Sequence, residues 1–430
     1  MGNEEIFKAA RPLFYVWKLF GLAPYTLNIS DKRRLKTAVL IGLFYQLFIG
    51  ILIIAGLIIS IESKQGGYYI TKSKARITSS ILYWTTYSLT SILSLIFTGI
   101  YHKKIVNILK VLSTTDDVFS PLNKFYKNIS KFIIIEVLII YSVVLAIAAY
   151  HYWVWFITFK ADFHIIGIFL YSCIVIAMEI QFTNITCLLY FRFKALNDQF
   201  KFKFSLTNTI EDCNSSQESK SIEDSKRNQL MNLKVMSIKI KNNVLQTSNV
   251  NFDEGGCFQD DNTDMFTLRV LRKQQHLLRD VADDFIGIYG ILMISDMVSS
   301  FIGITVHLYT PLYFANNEIT KMSYTELSRE HVVYVNLCWF VLMFIKLICI
   351  CTVCQITSAE ASRTATLLRT MLLKNQVESS LTLETQIFLE QVVNRPMNFT
   401  AYGFFNIDYS FLCSFVGAVA TYIIILVQFN

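Results

Sequence analysis

The chain of 430 residues is 53% hydrophobic and only 17% charged, and it carries a formal net charge of +7. Soluble domains contain about 25% charged residues, so this composition excludes an ordinary soluble domain and favours a membrane protein. The lysines and arginines flank the apolar stretches and do not form one basic face. This placement argues against a nucleic-acid partner and favours contact with a lipid surface.

The sequence indicates neither a metal site nor an enzyme active site. Cys349, Cys351 and Cys354 are close together, but no nearby histidine or further cysteine completes a zinc-type spacing. There is no phosphate-binding glycine-rich loop, no nucleophile-elbow motif and no His-Glu-x-x-His motif, and the six histidines are scattered. We therefore expect no cofactor, no metal and no catalysis.

The first segment is polar and basic, and its aromatic residues followed by Gly21 and Pro24 predict a short interfacial helix. We expect no cleavable signal peptide, because the first apolar run is too long for one. Seven apolar stretches follow, and each is long enough to cross a bilayer, since roughly 20 residues suffice for an α-helix. They lie near residues 38–61, 79–100, 132–150, 165–190, 285–308, 332–353 and 407–429.

The loops between the spans contain helical extensions. Residues 190–204 predict a basic continuation of the fourth span, 205–264 are predicted to be at least partly disordered, and the helical pattern resumes before the fifth span. We expect these extensions, with a helix pair over 357–394, to pack as a cytoplasmic helical bundle. The predicted segments are an N-terminal segment (1–37), helices 1–4 (38–190), a long cytoplasmic loop (191–284), helices 5 and 6 (285–353), a helical linker (354–406) and helix 7 (407–430).

The distribution of basic residues predicts the orientation. Without the long fourth-to-fifth loop, the segments on the N-terminal side hold 17 Lys and Arg residues, against 7 on the other side. The positive-inside rule therefore makes the N-terminus cytoplasmic, and seven spans then make the C-terminus extracellular. No Asn-x-Ser/Thr sequon falls in a predicted outer loop, which agrees with this assignment. We expect an all-α, multi-pass protein of the plasma membrane.

Polar and aromatic residues collect in the predicted outer halves of spans two to six. Aromatic faces stack on the C–H face of a sugar, and Asn, Asp, Ser or Tyr satisfy its hydroxyls, so this composition predicts a site for a small polyol. The alternative is an aromatic belt at the interface, which we favour for Tyr152 and Trp155. The predicted ligand-binding residues are Tyr83, Trp84, Tyr87, Tyr150, Trp153, Asp296, Ser299, Asn336 and Trp339.

Asp296, Glu179 and Lys346 lie inside predicted spans, where a charge is costly and faces the bundle interior or a wet cavity. Asp296 is expected either to contact the ligand or to link helices. Glu179 and Lys346 are placed nearer the cytoplasmic side, where we expect a structural role or a place in a gating network.

The last span ends with Thr421-Tyr422, five apolar residues and Gln428-Phe429. On a helix, Thr421 and Gln428 share one face, as do Tyr422 and Phe429. A membrane anchor does not need this arrangement, whereas a pore-lining helix can use it. The alternative is that these residues only mark the membrane interface.

This ending resembles the Thr-Tyr-x5-Gln-Phe signature of insect gustatory receptors. Residues 398–408 are similar to the segment before that family's last span, and Phe-Gly-Leu-Ala-Pro-Tyr at 20–25 resembles the fructose-receptor branch. The predicted seven spans with a cytoplasmic N-terminus agree with the family. The resemblance therefore covers the whole chain, although its motifs are short.

The resemblance implies a ligand-gated, non-selective cation channel, a homotetramer in which one seventh helix per subunit lines a central pore. It implies that Asn336 and Trp339, which resemble the polar–aromatic pair of the family's sixth span, hold a sugar, and that fructose is the ligand. The expected partners are this sugar, permeating cations and membrane lipid. The implied pore residues are Thr421, Tyr422, Ile425, Gln428 and Phe429, with the gate at the last two.

Other interpretations fit the sequence less well. A G-protein-coupled receptor has an extracellular N-terminus, and here the third span ends in Tyr150-His151-Tyr152 in place of an Asp-Arg-Tyr-like triplet. A transporter would show an inverted repeat or a broken pair of spans. An odorant-receptor relative would share the topology and pore and differ in its ligand. The main prediction is a sugar-gated cation channel with the ligand bound in the outer half of each subunit.

Overall fold

A computed structural model of the chain describes residues 2–25, 32–65, 74–118, 123–159, 164–204, 261–316, 326–374 and 379–428. Within these ranges the chain forms ten α-helices, and seven of them contain a segment long and apolar enough to cross a membrane. The predicted all-α fold with seven candidate spans is confirmed. The helices, numbered in chain order, are α1 (Gly2–Leu19), α2 (Lys32–Gln65), α3 (Lys74–Ile100), α4 (His102–Val118), α5 (Asn123–Phe159), α6 (His164–Lys203), α7 (Asp261–Asn316), α8 (Glu326–Lys374), α9 (Ser379–Asn394) and α10 (Tyr409–Gln428).

Three helices are much longer than a bilayer requires. The helices α6, α7 and α8 contain 40, 56 and 49 residues, whereas roughly 20 residues cross the hydrocarbon core. Each continues as one helix from its apolar part into polar sequence, because the polar parts, 190–203, 261–284 and 354–374, contain no proline or glycine. Residues 190–203 are thus part of α6, and 261–264, which the sequence grouped with the disordered loop, begin α7. The remainder of that loop, 205–260, lies outside the described residues.

The centre of the bundle is formed by α3, α6, α7 and α8. Among these four, α6 packs against the other three, and α7 packs against α3 and α8. In the most apolar part of α6, 78% of the residues are buried, compared with 17% in α2 and 11% in α5. The flanking helices α2 and α5 therefore turn apolar side chains outwards, as lipid-facing helices do.

The short helices α1, α4 and α9 lie at the end of the bundle where α5 begins and α6 ends, which we call the near end. Here α1 packs on α4, α5 and α6, and α9 packs on α7 and α8. The helix α1 stops before Gly21, whose φ of 76° lets Leu22 N–H donate to Trp17 O at 2.7 Å. The side-chain amide of Gln46 then donates to Gly21 O at 2.5 Å and fastens this turn to α2.

The last helix, α10, packs mainly on α7 and α8 and leaves most of its side chains exposed; only Phe415 and Val419 are buried. A tight turn over 399–407 leads into it, with Tyr402 at φ 49° and Gly403 at φ 80°. The carboxylate of Asp408 accepts from Phe411 N–H at 2.8 Å and caps the first turn of α10. The turn and cap fix where the exposed helix starts.

Gly290 of α7 lies against this turn, and it provides a test of the contact. A Cβ at this position would come within 2.8 Å of Tyr402 N and 3.2 Å of Tyr402 Cα, both backbone atoms. We expect Gly290→Ala to lower the free energy of unfolding by about 1–3 kcal/mol, because overpacking forces the backbone to shift. The measurement is the thermal unfolding temperature of the purified protein in lipid nanodiscs.

The matched control is Gly287→Ala on the same helix, where an added Cβ has no atom within 4 Å. Both substitutions gain the same helix propensity, so the difference between them isolates the contact with the turn. Equal unfolding temperatures would show that the turn is not held against α7.

Candidate functional site

The amino group of Lys346 lies at the centre of the bundle between two carboxylates. This Nζ donates to Glu179 Oε1 on α6, and it is 3.2 Å from Asp296 Oδ1 on α7. It also lies 3.4 Å from the hydroxyl of Tyr87 on α3. Both carboxylates are buried. One side chain of α8 therefore connects all four central helices, and we call these four residues the Lys346 network.

The sequence placed Glu179 and Lys346 nearer the cytoplasmic side than Asp296, and this prediction is wrong. The three charged groups meet at one level of the bundle. The error arises because the depth of a residue follows from its position in the sequence only when the tilt and axial offset of its helix are known, and the sequence does not show them. An offset of one helical turn changes the depth by about 5.4 Å. The long lysine side chain then closes the remaining distance.

The network contains two acids and one base, and one carboxylate oxygen is left without a hydrogen-bond partner. We call such an atom open. Asp296 Oδ2 is buried and has no hydrogen-bond partner among the described residues. A buried carboxylate oxygen without a partner is costly, so this atom is a natural acceptor for a hydroxyl or other donor.

A polar and aromatic cluster lies on the side of the network away from the near end. His307 of α7 donates from Nδ1 to Asn336 Oδ1 of α8 at 2.9 Å. Trp339 Nε1 donates to His151 Nδ1 at 2.9 Å, and the Trp339 ring stacks on the His307 ring at 6.3 Å between centroids. The Tyr83 ring meets His307 edge-on at 5.3 Å. We call these five residues the His307 cluster.

The cluster has an open polar atom of its own. His307 Nε2 is buried and has no hydrogen-bond partner among the described residues. Since Nδ1 carries the proton that Asn336 accepts, Nε2 of the neutral ring is a hydrogen-bond acceptor. The Tyr83 and Tyr87 rings, 4.9 Å apart, connect this cluster to the Lys346 network.

The predicted ligand-binding residues fall into two groups in the structure. Seven are buried side chains of the central helices, while the other two form a group with His331. In that group the Tyr150 hydroxyl is 2.8 Å from His331 Nδ1, and Trp153 is 46% exposed. The seven buried residues are Tyr83, Trp84, Tyr87, Asp296, Ser299, Asn336 and Trp339.

Not every buried member of the predicted set has a free polar group. The hydroxyl of Ser299 donates to the carbonyl of Asp296 at 2.9 Å, so it is used within α7. His151 and His307 were not among the predicted binding residues. A signal for His307 does exist, because it follows Asp296 by 11 residues, which is three helical turns, and therefore shares its face of α7.

A cavity of about 760 Å³ opens beside the Lys346 network between α5, α6 and α8, and we call it the lateral cavity. Its volume is within the range of about 300–1,000 Å³ typical of ligand pockets. One end reaches Tyr87 and Trp339, and the other reaches Trp17 of α1 and Leu109 of α4. The cavity therefore runs from the level of the His307 cluster towards the near end.

The predicted pore residues lie on α10 with exposed side chains, except for Phe429, which is outside the described residues. The Thr421 hydroxyl donates to Gly417 O at 2.9 Å, within the helix. The Tyr422 ring meets Phe301 of α7 edge-on at 5.7 Å. Tyr422 thus contacts the helix that carries Asp296 and His307. The other two pore residues described are Ile425 and Gln428.

The sequence matches the family described as 7tm Chemosensory receptor over residues 10–430. The chain belongs to this family. The chemosensory receptor is similar to Gustatory receptor 68a of Drosophila melanogaster, 36% identical over 92 residues, which are 21% of this chain and 23% of that protein. Gustatory and pheromone receptor 32a of the same species is 36% identical over 77 residues, 18% of this chain and 16% of that protein. The alignments therefore cover less than a quarter of either relative.

The fold is similar to that of the insect olfactory receptor OR5 from Machilis hrabei, with a TM-score of 0.64 and 12% sequence identity over the full length of both chains. The structure of OR5 in complex with eugenol gives a TM-score of 0.63. At this identity the likeness shows a shared fold. With its seven apolar helices, the chemosensory receptor is a multi-pass membrane protein, as the sequence predicted.

The Lys346 network makes a prediction about stability. Lys346→Met leaves two buried carboxylates without their cation, and removing one partner from such a group costs about 3–5 kcal/mol. We expect a large fall in the thermal unfolding temperature of the purified receptor. The triple variant that adds Glu179→Gln and Asp296→Asn removes all the charges together and should recover most of the loss.

Lys36→Met, at an exposed position where the α2 span begins, is the matched control for loss of a lysine. It should unfold at the temperature of the unchanged receptor. If Lys346→Met did so as well, the network would contribute nothing to the fold.

Proposed function

We propose that this chemosensory receptor is a gustatory receptor that opens a non-selective cation channel when a small sugar, fructose in particular, binds at the His307 cluster. The observation that supports this proposal most directly is the pair of open, buried polar atoms, His307 Nε2 and Asp296 Oδ2, beside aromatic faces. Both atoms are on α7, the helix against which α10 packs.

The chemistry of the cluster suits a polyol. The rings of Tyr83 and Trp339 offer faces for the C–H side of a sugar, and His307 Nε2 accepts a hydrogen bond from a hydroxyl group. A buried acceptor that only a hydroxyl satisfies also discriminates strongly against ligands that lack one. The resemblance to the fructose-receptor branch supports fructose within this class.

The exposed surface of α10 supports a pore shared by four copies of the chain. In one subunit this helix buries only Phe415 and Val419, which leaves a long apolar helix largely uncovered. Four such helices around one axis would cover each other and bring Thr421 and Gln428, which share a face, to the ion path. The excess of basic residues on the N-terminal side supports a cytoplasmic N-terminus and, with it, a position of Gln428 at the outer mouth.

Binding is coupled to the pore through α7. Phe301 lies between Asp296 and His307 along this helix, and its ring meets Phe415 and Tyr422 of α10, each at 5.7 Å. A ligand bound at the His307 cluster favours one position of α7 over another, and it shifts the channel by its difference in affinity for the two states. The aromatic contact carries that shift to the pore helix.

A second candidate ligand is a small aromatic odorant. The stacked rings of His307 and Trp339 favour such a ligand, and the similarly folded OR5 has been solved in complex with eugenol. A G-protein-coupled receptor is the remaining alternative. The three differ in what opens a current and in whether a G protein is needed.

The test is electrical recording from the purified receptor in planar bilayers that contain no other protein. We expect fructose to evoke cation currents. Asn336→Leu should raise the half-maximal fructose concentration about tenfold, since loss of a buried hydrogen-bond partner costs about 1–3 kcal/mol. Tyr152→Leu, an exposed residue of α5 near the same end, is the control and should leave the response unchanged.

The outcomes separate the candidates. Currents with eugenol and none with fructose or other sugars would overturn the sugar assignment and support the odorant. Silence in pure bilayers together with a G-protein-dependent response in cells would overturn the channel itself.

The pore assignment makes a separate prediction. Gln428→Ala should change the single-channel conductance or the reversal potential in mixed salts, because the amide lies on the ion path, while the fructose affinity stays the same. Val427→Ala, one residue earlier and on a different face of α10, is the matched control. Unchanged permeation in Gln428→Ala would remove this residue from the pore.

A further inference from the structure

The lateral cavity is lined almost entirely by hydrocarbon. Its walls come from the membrane spans of α5, α6 and α8, with side chains such as Ile133, Ile176 and Leu342. Phe132, at its edge, is 67% exposed, so the cavity borders the surface that faces lipid. A molecule dissolved in the bilayer can therefore reach it without passing through water.

One acid interrupts this apolar wall at the near-end half. Glu136 lies within the span of α5 and lines the cavity. Among the described residues its carboxylate is met by Asn184 Nδ2 at 3.5 Å, the outer limit for a hydrogen bond, and no Lys, Arg or His forms an ion pair with it. A carboxylate inside a membrane span has a high free-energy cost unless a donor hydrogen-bonds to it. We therefore expect a ligand with a donor group to bind at Glu136.

We propose that the lateral cavity is a second ligand site that takes a long-chain amphiphile, a single hydrocarbon chain with one hydrogen-bond-donating head such as a hydroxyl or an ammonium group. The head binds Glu136 and Asn184, and the chain extends along α6 towards Tyr87 and Trp339. The amphiphile is either a component of the membrane or an apolar stimulus from outside, since both carry this chemistry.

This site is distinct from the His307 cluster. The cluster lies mainly between α7 and α8, while the cavity lies between α5, α6 and α8. The two share the Trp339 side chain, and Lys346 of the Lys346 network also lines the cavity. Occupation of the cavity does not depend on the sugar assignment, and it is measurable without any current.

Two native cysteines report on the cavity, since Cys187 and Cys349 both line it. The experiment measures the alkylation rate of each cysteine by a membrane-permeant maleimide in the full-length receptor in phosphatidylcholine nanodiscs, read by peptide mass spectrometry. The probes are tetradecylamine and tetradecan-1-ol, with tetradecane as the headless control. Cys413, exposed on α10, is the internal control.

At ten times its dissociation constant, a bound amphiphile should slow alkylation of Cys349 about tenfold and leave Cys413 unchanged. Tetradecane should protect much less. Equal protection by tetradecane, equal slowing at Cys413, or no protection at any concentration would overturn the proposal.

Variants separate the head from the chain. Glu136→Leu should reduce protection by the amine to the level of tetradecane. Ile180→Trp should fill the cavity and abolish protection by every probe, whereas Leu138→Trp, on the exposed face of α5, should not. If Ile180→Trp fails to fold, the Glu136→Leu comparison still decides. An unchanged preference for the amine in Glu136→Leu would contradict the proposed head site.

A separate experiment identifies the source of the amphiphile. Mass spectrometry of lipids extracted from the purified receptor would identify a membrane component if one co-purifies and is lost in Ile180→Trp. Protection by added probe without a co-purifying amphiphile would point to an external stimulus. Either result supports the site, and neither depends on whether fructose opens the channel.

Discussion

The Lys346 network is the constraint on which the rest of the structure depends. A lysine and two carboxylates inside a membrane bundle are costly unless they meet, so their pairing fixes the depth and rotation of α6, α7 and α8 relative to one another. The residues on either side then follow. The His307 cluster forms above the network because α7 and α8 are aligned there, and the lateral cavity remains beside it, where α5 packs on α8 but leaves part of the wall of α6 uncovered.

Helix α7 transmits this alignment to the exposed last helix. It contacts the turn before α10 through the backbone of Gly290 against Tyr402. It contacts α10 itself through Phe301 against Phe415 and Tyr422. The contact between Gly290 and Tyr402 is between backbone atoms, because glycine has no side chain, and it leaves little room for movement. The contact of Phe301 is between aromatic edges, which can slide at small cost. A shift of α7 is therefore expected to tilt α10 about its start more than to translate it.

The sequence predicted the features that depend on a single helix, such as its position and length. It missed the contacts that depend on how several helices pack together. Apolar length located the seven spans, and the polar helical continuations of α6, α7 and α8 follow the same periodic pattern. Periodicity shows which residues share a face but not which neighbour that face meets. For this reason Glu179 and Lys346 were separated from Asp296, and His307 was left out. Tyr150 and Trp153 were grouped with the seven buried residues, although both lie beside His331.

The proposed sites lie on two sides of α8 and share its side chains. Trp339 hydrogen-bonds to His151 in the cluster and lines the cavity, and Lys346 holds Asp296 while it lines the same cavity. A ligand on one side that moves either side chain changes the other site, and by thermodynamic linkage the effect is reciprocal. If both proposals hold, an amphiphile from the membrane changes the affinity for sugar, and sugar changes the affinity for the amphiphile by the same factor. The bilayer would then set the sensitivity of the receptor to sugar through side chains of α8.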